Sequence, residues 1–208
     1  MTEPAMTQPE MTVFVVDDDT GIRTSLVRAL GMRGYQVKAF ASAAEFLADY
    51  QHGTGGCLVL DYGMPGMNGL ELQQRLNQMG AQLPIVFITG HGGVPESVQA
   101  IKAGAVDFLE KPFRQADLIA RIETAFQITR ELRQSQARDQ QQQARFDRLT
   151  SRESQIVERI LANPREASSK EIAASLGISP RTIDHHRARI MEKLGVKSLV
   201  ELIALASR

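Results

Sequence analysis

Hydrophobic positions along the first 126 residues follow two alternating periods. Short apolar runs of strand length occur at residues 12–16, 36–40, 57–61, 84–89 and 106–110. Between them, residues 20–32, 43–50, 70–79, 95–103 and 116–126 carry apolar side chains three and four apart, the spacing of one helix face. Parallel strands need a long crossover, and a helix supplies it. Five strands alternating with five helices therefore predict a parallel sheet with helices on both faces. Ligands of such sheets sit at the carboxyl ends of the strands.

The pattern then changes twice. Residues 127–148 hold four consecutive glutamines at 140–143 and few apolar positions, too few for a core, so they read as a linker. The spacing Leu118, Ile122, Ala125, Ile128, Leu132 carries the preceding helix into this stretch, and the pattern fades near Ser135. From Leu149 onward only helical patterning remains. Thr150 followed by Glu153 is a capping signature, and Ser168 or Ser169 can cap the next helix. That helix, 170–176, ends at Gly177, and Ser179-Pro180 opens another. Two short helices joined by Leu176-Gly177-Ile178-Ser179 make a helix-turn-helix. The expected organisation is an α/β domain over 12–126, a partly helical linker over 127–148 and an all-α domain over 149–208.

No apolar run approaches the ~18 residues of a membrane span, and residues 1–11 lack the apolar core of a signal peptide. The single cysteine, Cys57, lies in an apolar run and reads as a packed strand residue, which fits a reducing cytoplasm. The formal net charge of zero conceals an asymmetry. Residues 1–126 carry nine Lys/Arg against fourteen Asp/Glu, whereas residues 147–208 carry eleven against eight. An acidic half joined to a basic half suggests one domain that handles a cation and another that meets a polyanion.

Candidate chemistry falls where the topology wants it. Asp17, Asp18 and Asp19 follow the first strand, Asp61 ends the third, Thr89 ends the fourth and Lys111 follows the fifth. Carboxylates converging on one sheet edge repel one another unless a cation intervenes, and Mg²⁺ suits one or two carboxylates with water and phosphate oxygens. An ionised Asp can attack phosphorus, with the metal and Lys111 neutralising the transferring group and Thr89 donating to it. An enzyme that hydrolyses its own aspartyl phosphate needs a general acid/base two residues on. Here that position is Gly63, so the chain reads as a switch and not an enzyme.

These residues resemble the receiver domains of bacterial two-component response regulators across residues 12–126. The matching pieces are Asp17-Asp18-Asp19, the run from Asp61 through Met64-Pro65-Gly66 to Asn68-Gly69, Thr89-Gly90-His91, and Lys111-Pro112-Phe113. The resemblance implies a doubly wound sheet in the flavodoxin-like order 2-1-3-4-5, phosphorylation of Asp61 by a sensor histidine kinase, and Mg²⁺ held by Asp17, Asp18, Asp61 and the Gly63 backbone carbonyl. It implies that Thr89 and Lys111 meet the phosphoryl group, that Thr89 and Phe108 form the switch pair, and that the bond before Pro112 is cis. Phe108 stands where many members carry Tyr, and Asp19 lies beyond the family pair and faces water.

The last helix-turn-helix element, residues 180–194, splits by helical period. Ile183, Ile190, Leu194, Met191 and part of His186 share an apolar face, and Arg181, Asp184, His185, Ala188, Arg189 and Glu192 lie opposite. A basic, polar stripe on the second helix is how a major groove is read. The pair His185-His186 is no metal site, since adjacent residues diverge by about 100° on a helix and no third ligand is near. Residues 149–206 resemble the LuxR-type output domain of the NarL/FixJ family through Leu149-Thr150-Ser151-Arg152-Glu153, Lys170-Glu171-Ile172-Ala173, Thr182-Ile183 and Lys193-Leu194-Gly195-Val196. The receiver run from Thr89 through His91-Gly92-Gly93 to Pro95 points to the FixJ-like branch. The resemblance implies that Thr182, His186 and Lys193 touch DNA phosphates and that Asp184, His185 and Ala188 face bases. Arg181, Arg187 and Arg189 complete the expected DNA-binding set. Asp184 replaces a common Lys. The implied function is a phosphorylation-gated transcription factor, an activator that dimerises on a palindromic promoter site through its last helix. The competing reading is an interaction module whose C-terminal helices bind a protein.

Overall fold

The computed structural model describes residues 11–90 and 94–206. The expectations for residues 1–10 and for His91-Gly92-Gly93 lie outside the described residues. Strands β1 (Thr12–Val16), β2 (Gln36–Phe40), β3 (Gly56–Asp61), β4 (Ile85–Thr89) and β5 (Asp107–Glu110) form one parallel sheet in the order β2-β1-β3-β4-β5. The register pairs Val16 with Leu60, Asp61 with Ile88 and Thr89 with Glu110. The carboxyl ends of four strands thus reach one edge together.

Successive strand residues point to opposite faces, and each face has its own core. Phe14, Val16, Leu58, Leu60 and Phe87 pack with Phe46 of α2 (Ala43–Asp49), Leu72 and Leu76 of α3 (Gly69–Gln78) and Ala100 of α4 (Val94–Lys102). Val13, Val15, Cys57, Val59, Val86 and Ile88 pack with Leu26 and Leu30 of α1 (Thr20–Gly31) and Leu118 and Ile122 of α5 (Gln115–Phe146). Both strand faces are covered, which is why these strands read as near-continuous apolar runs. Cys57 is fully buried among them and burial pushes its thiol far up, so it is inert.

Helix α5 does not end where its apolar pattern fades near Ser135 but runs to Phe146. Its second half is built of Gln, Ala and Arg, good helix formers that need no apolar stripe. Its end belongs to the second unit. Gln142 donates to the Leu205 carbonyl and Phe146 joins the C-terminal core. The chain divides into two compact units between Arg133 and Gln134, inside this helix.

The second unit holds α6 (Ser151–Ala162), α7 (Ser169–Leu176), α8 (Pro180–Leu194) and α9 (Leu199–Ala206) around Ile156, Ile160, Ile172, Ile183, Ile190, Leu194 and Leu202. Thr150 with Glu153, and Ser168 with Glu171, form reciprocal capping boxes. The cap of α7 is therefore Ser168, which frees the hydroxyl of Ser169 for other work. Gly177 closes α7 at φ 65°, a left-handed conformation that costs a residue with a Cβ, and so sets the turn.

Candidate functional site

Two buried carboxylates and one ammonium meet at the carboxyl edge of the sheet. Lys111 Nζ donates to Asp61 Oδ1 at 2.7 Å and to Asp17 Oδ2 at 2.8 Å, across 50 and 94 residues of sequence. Asp17 is 0% and Asp61 6% exposed. The other oxygen of each carboxylate accepts from a local backbone amide, Asp19 N for Asp17 and Gly63 N for Asp61. Burial dominates at Asp17 and lifts its carboxyl above the ordinary value, against the hydrogen bonds from Lys111 and Asp19 that lower it. At Lys111 burial opposes the charge, but the hydrogen bonds to Asp17 and Asp61 outweigh it and raise the ammonium.

Thr89 is buried, and its carbonyl accepts from Lys111 N at 2.7 Å, which ties the two expected phosphoryl contacts together. The Lys111–Pro112 bond is cis. Phe108 is half-buried, with its ring 6.3 Å from that of Phe87 and 6.4 Å from that of Tyr62. Gly69 lies against the end of β3, where an added Cβ would stand 2.5 Å from the Asp61 carbonyl oxygen. No side chain fits there, which accounts for the glycine closing the Asp61 motif.

The three consecutive aspartates divide their work. Asp17 is in the pocket, and Asp19 caps α1 by accepting from Gly21 N and Ile22 N, bonds that hold its carboxyl below the usual range. Asp18 is exposed, and the structure does not draw it against the other two. Among the described residues no group of three or more Asp, Glu, His or Cys is arranged as a metal cage. The oxygen donors nonetheless suit a hard cation, because two carboxylates against one ammonium leave a negative charge uncompensated. Arg23 escaped the sequence reading. It donates to the Asp17 carbonyl and to Thr20 Oγ1, fixing the loop that aims Asp17.

On α8, the side chains of Arg181, Thr182, Asp184, His185, Ala188 and Arg189 are exposed. Thr182 and Asp184 nonetheless hydrogen-bond Ser179 and Ser169, and Arg187 and Lys193 are engaged within the domain as well. Arg187 donates to the Ala167 carbonyl and Ser169 Oγ. Lys193 donates to buried Glu153 at 2.6 Å. His186 is half-buried, with Nδ1 lacking a hydrogen-bond partner among the described residues. Helical periodicity places a residue on a face, but it cannot say that a long side chain bends back to a neighbouring helix. No described helix is long and apolar enough to cross a membrane.

Comparison with known proteins shows the family. Residues 13–123 match the response regulator receiver domain, and residues 147–206 match the bacterial regulatory proteins of the luxR family. The chain is 39% identical over 206 residues to the response regulator protein TmoT of Ectopseudomonas mendocina, covering 98% of this chain and 91% of that one. It is 42% identical to the transcriptional regulatory protein FixJ of Rhizobium meliloti (strain 1021), covering 95% of each. The solved structure of the response regulator StyR shares 43% identity and a TM-score of 0.82, covering 95% of this chain and 98% of that one. The chain therefore belongs to the FixJ-like response regulators, transcription regulators in which a receiver domain precedes a LuxR-type DNA-binding domain.

Proposed function

We propose that a sensor histidine kinase phosphorylates Asp61 and that phosphorylation drives binding to promoter DNA in the cytoplasm. The observation that supports this reading is the Lys111 ammonium bridging Asp61 and Asp17. An Asp61 oxygen attacks phosphorus of the phosphohistidine, the P–N electron pair returns to the imidazole nitrogen, and that nitrogen takes a proton from solvent as neutral imidazole leaves. Lys111 stays beside the transferred group to offset its charge, and Thr89 donates to one of its oxygens. Asp17, Asp18, Asp61 and the Gly63 carbonyl would hold Mg²⁺, which supplies further charge neutralisation when bound. Asp61→Asn abolishes labelling by a small-molecule phosphodonor, and chelation of Mg²⁺ does the same to the wild type. Full labelling of the Asp61→Asn variant in intact-mass measurements sinks the assignment.

Phosphorylation adds up to two negative charges and three acceptor oxygens, drawing Thr89 toward Asp61. The space vacated beside β4 lets Phe108 move deeper than its present half-buried position. That reshapes the face made by α4, β5 and α5 and favours a homodimer, which presents two α8 helices to half-sites of a palindrome about one helical turn apart. The output is activation of transcription. Sedimentation of the phosphorylated full chain shows a dimer, and Thr89→Ala keeps the label but loses the dimer.

A further inference from the structure

Ser169 connects two α8 residues of opposite charge on the helix expected to meet DNA. Arg187 and Asp184 sit three apart on α8, and the Ser169 hydroxyl, on the first turn of α7, lies between them. Arg187 Nη1 donates to Ser169 Oγ at 3.1 Å and also to the Ala167 carbonyl at 3.1 Å. Ser169 Oγ in turn hydrogen-bonds Asp184 Oδ1. The direction is forced by chemistry. A guanidinium can only donate and an ionised carboxylate can only accept, so the single hydroxyl proton must point at Asp184.

This arrangement has two consequences. The guanidinium charge is brought close to the carboxylate through one hydroxyl, which offsets the repulsion that an acidic side chain meets at a phosphate backbone. Asp184 is also pinned by one oxygen while the residue remains exposed, which leaves its other oxygen to accept from a partner. A fixed acceptor in the major groove selects an exocyclic amino donor, and cytosine N4 is the partner that carboxylates take.

We propose that Ser169 is a positioning residue for sequence specificity: it orients Asp184 to accept from a cytosine amino group, with Arg187 holding Ser169. The proposal rests on the reading of α8 as the recognition helix, and it goes beyond that reading by naming the base and a residue outside α8.

Selection of duplexes from a randomised library by the phosphorylated full chain, followed by sequencing, tests it. The wild type enriches a motif with cytosine at one position of each half-site. Asp184→Ala lowers the preference at that position about tenfold, and Ser169→Ala lowers the same position about as much, leaving affinity for random DNA within twofold. Ser169→Thr keeps a hydroxyl and restores the preference, which a loss of α7 stability would not do. The double variant Ser169→Ala/Asp184→Ala relaxes that position no further than Asp184→Ala alone. Equal weakening of all positions by Ser169→Ala, or relaxation at a position Asp184→Ala leaves intact, overturns the proposal. If Asp184→Ala leaves the motif unchanged while His185→Ala alters it, α8 remains the reader and only this proposal fails. A wild type that enriches no motif removes the α8 reading and this proposal with it.

Discussion

Each half of the molecule buries a carboxylate against a lysine, and the two arrangements do opposite things. In the output domain Glu153 Oε2 accepts from Lys193 Nζ at 2.6 Å and from Thr150 N at 2.8 Å, and its carboxyl is pulled down to about 2 by Lys193 and Thr150 despite its burial. One negative charge meets one positive charge, and the pair joins α6 to the end of α8. In the receiver, Lys111 must serve both Asp17 and Asp61. That pocket is short of positive charge by one. A balanced buried pair is architecture. An unbalanced one suits a cation, as the proposed phosphorylation of Asp61 calls for.

The largest effect that tests this contrast is on the balanced pair. Lys193→Met strands a buried carboxylate and lowers output-domain stability by about 2–3 kcal/mol, below the ~3–5 typical of fully buried pairs because the Lys193 side chain is 32% exposed. Hydrogen exchange of α6 and α8 amides in the full chain measures the loss, and Glu153→Gln added to Lys193→Met recovers most of it. Unchanged protection in the single variant breaks the comparison. It also means that weaker DNA binding by a Lys193 variant cannot be assigned to a lost phosphate contact until stability is matched.

A smaller and sharper test makes the same carboxylate-to-amide change in both places. Glu153→Gln weakens its domain by about 1–2 kcal/mol, since a charge-assisted bond is lost. Asp61→Asn leaves receiver stability within about 1 kcal/mol, because the lost amide bond from Gly63 and the weakened bond from Lys111 are offset by relief of repulsion with Asp17, which keeps Lys111 as its own partner. Destabilisation of both domains to the same extent removes the distinction. Mg²⁺ at ten times its dissociation constant raises exchange protection in the receiver by about 1.4 kcal/mol and leaves the output domain unaltered. Protection of both alike indicates a general salt effect.

The smallest effect is in pH. Glu153 has its folded value lowered from 4.5 to about 2, so its contribution is present above 4.5 and is lost as pH falls toward 2. Asp17 is raised, so its contribution is full below its ordinary value of 3.8 and is lost as pH rises through the folded value. Acidification without divalent cations therefore weakens the output domain while favouring the receiver pocket. Exchange protection that falls in parallel in both domains contradicts the two signs.

The sequence by itself determined the order of elements, the parallel sheet and the strand ends that carry Asp17, Asp61, Thr89 and Lys111. These follow from periodicity and chain connectivity, which act over a few residues at a time. It also determined the Thr150–Glu153 capping signature of the output domain, and narrowed the cap of the next helix to Ser168 or Ser169. Only the tertiary structure decided that choice, and with it the freedom of Ser169 to reach Asp184. Tertiary packing alone separated three adjacent aspartates into a pocket residue, an exposed residue and a helix cap. It carried α5 on to Phe146, because the partner that holds its end lies 63 residues away from Gln142. It turned Lys193 and Arg187 back toward Glu153 and Ala167. A long flexible side chain on a helix face has several rotamers within reach, and the choice among them depends on what distant chain stands opposite.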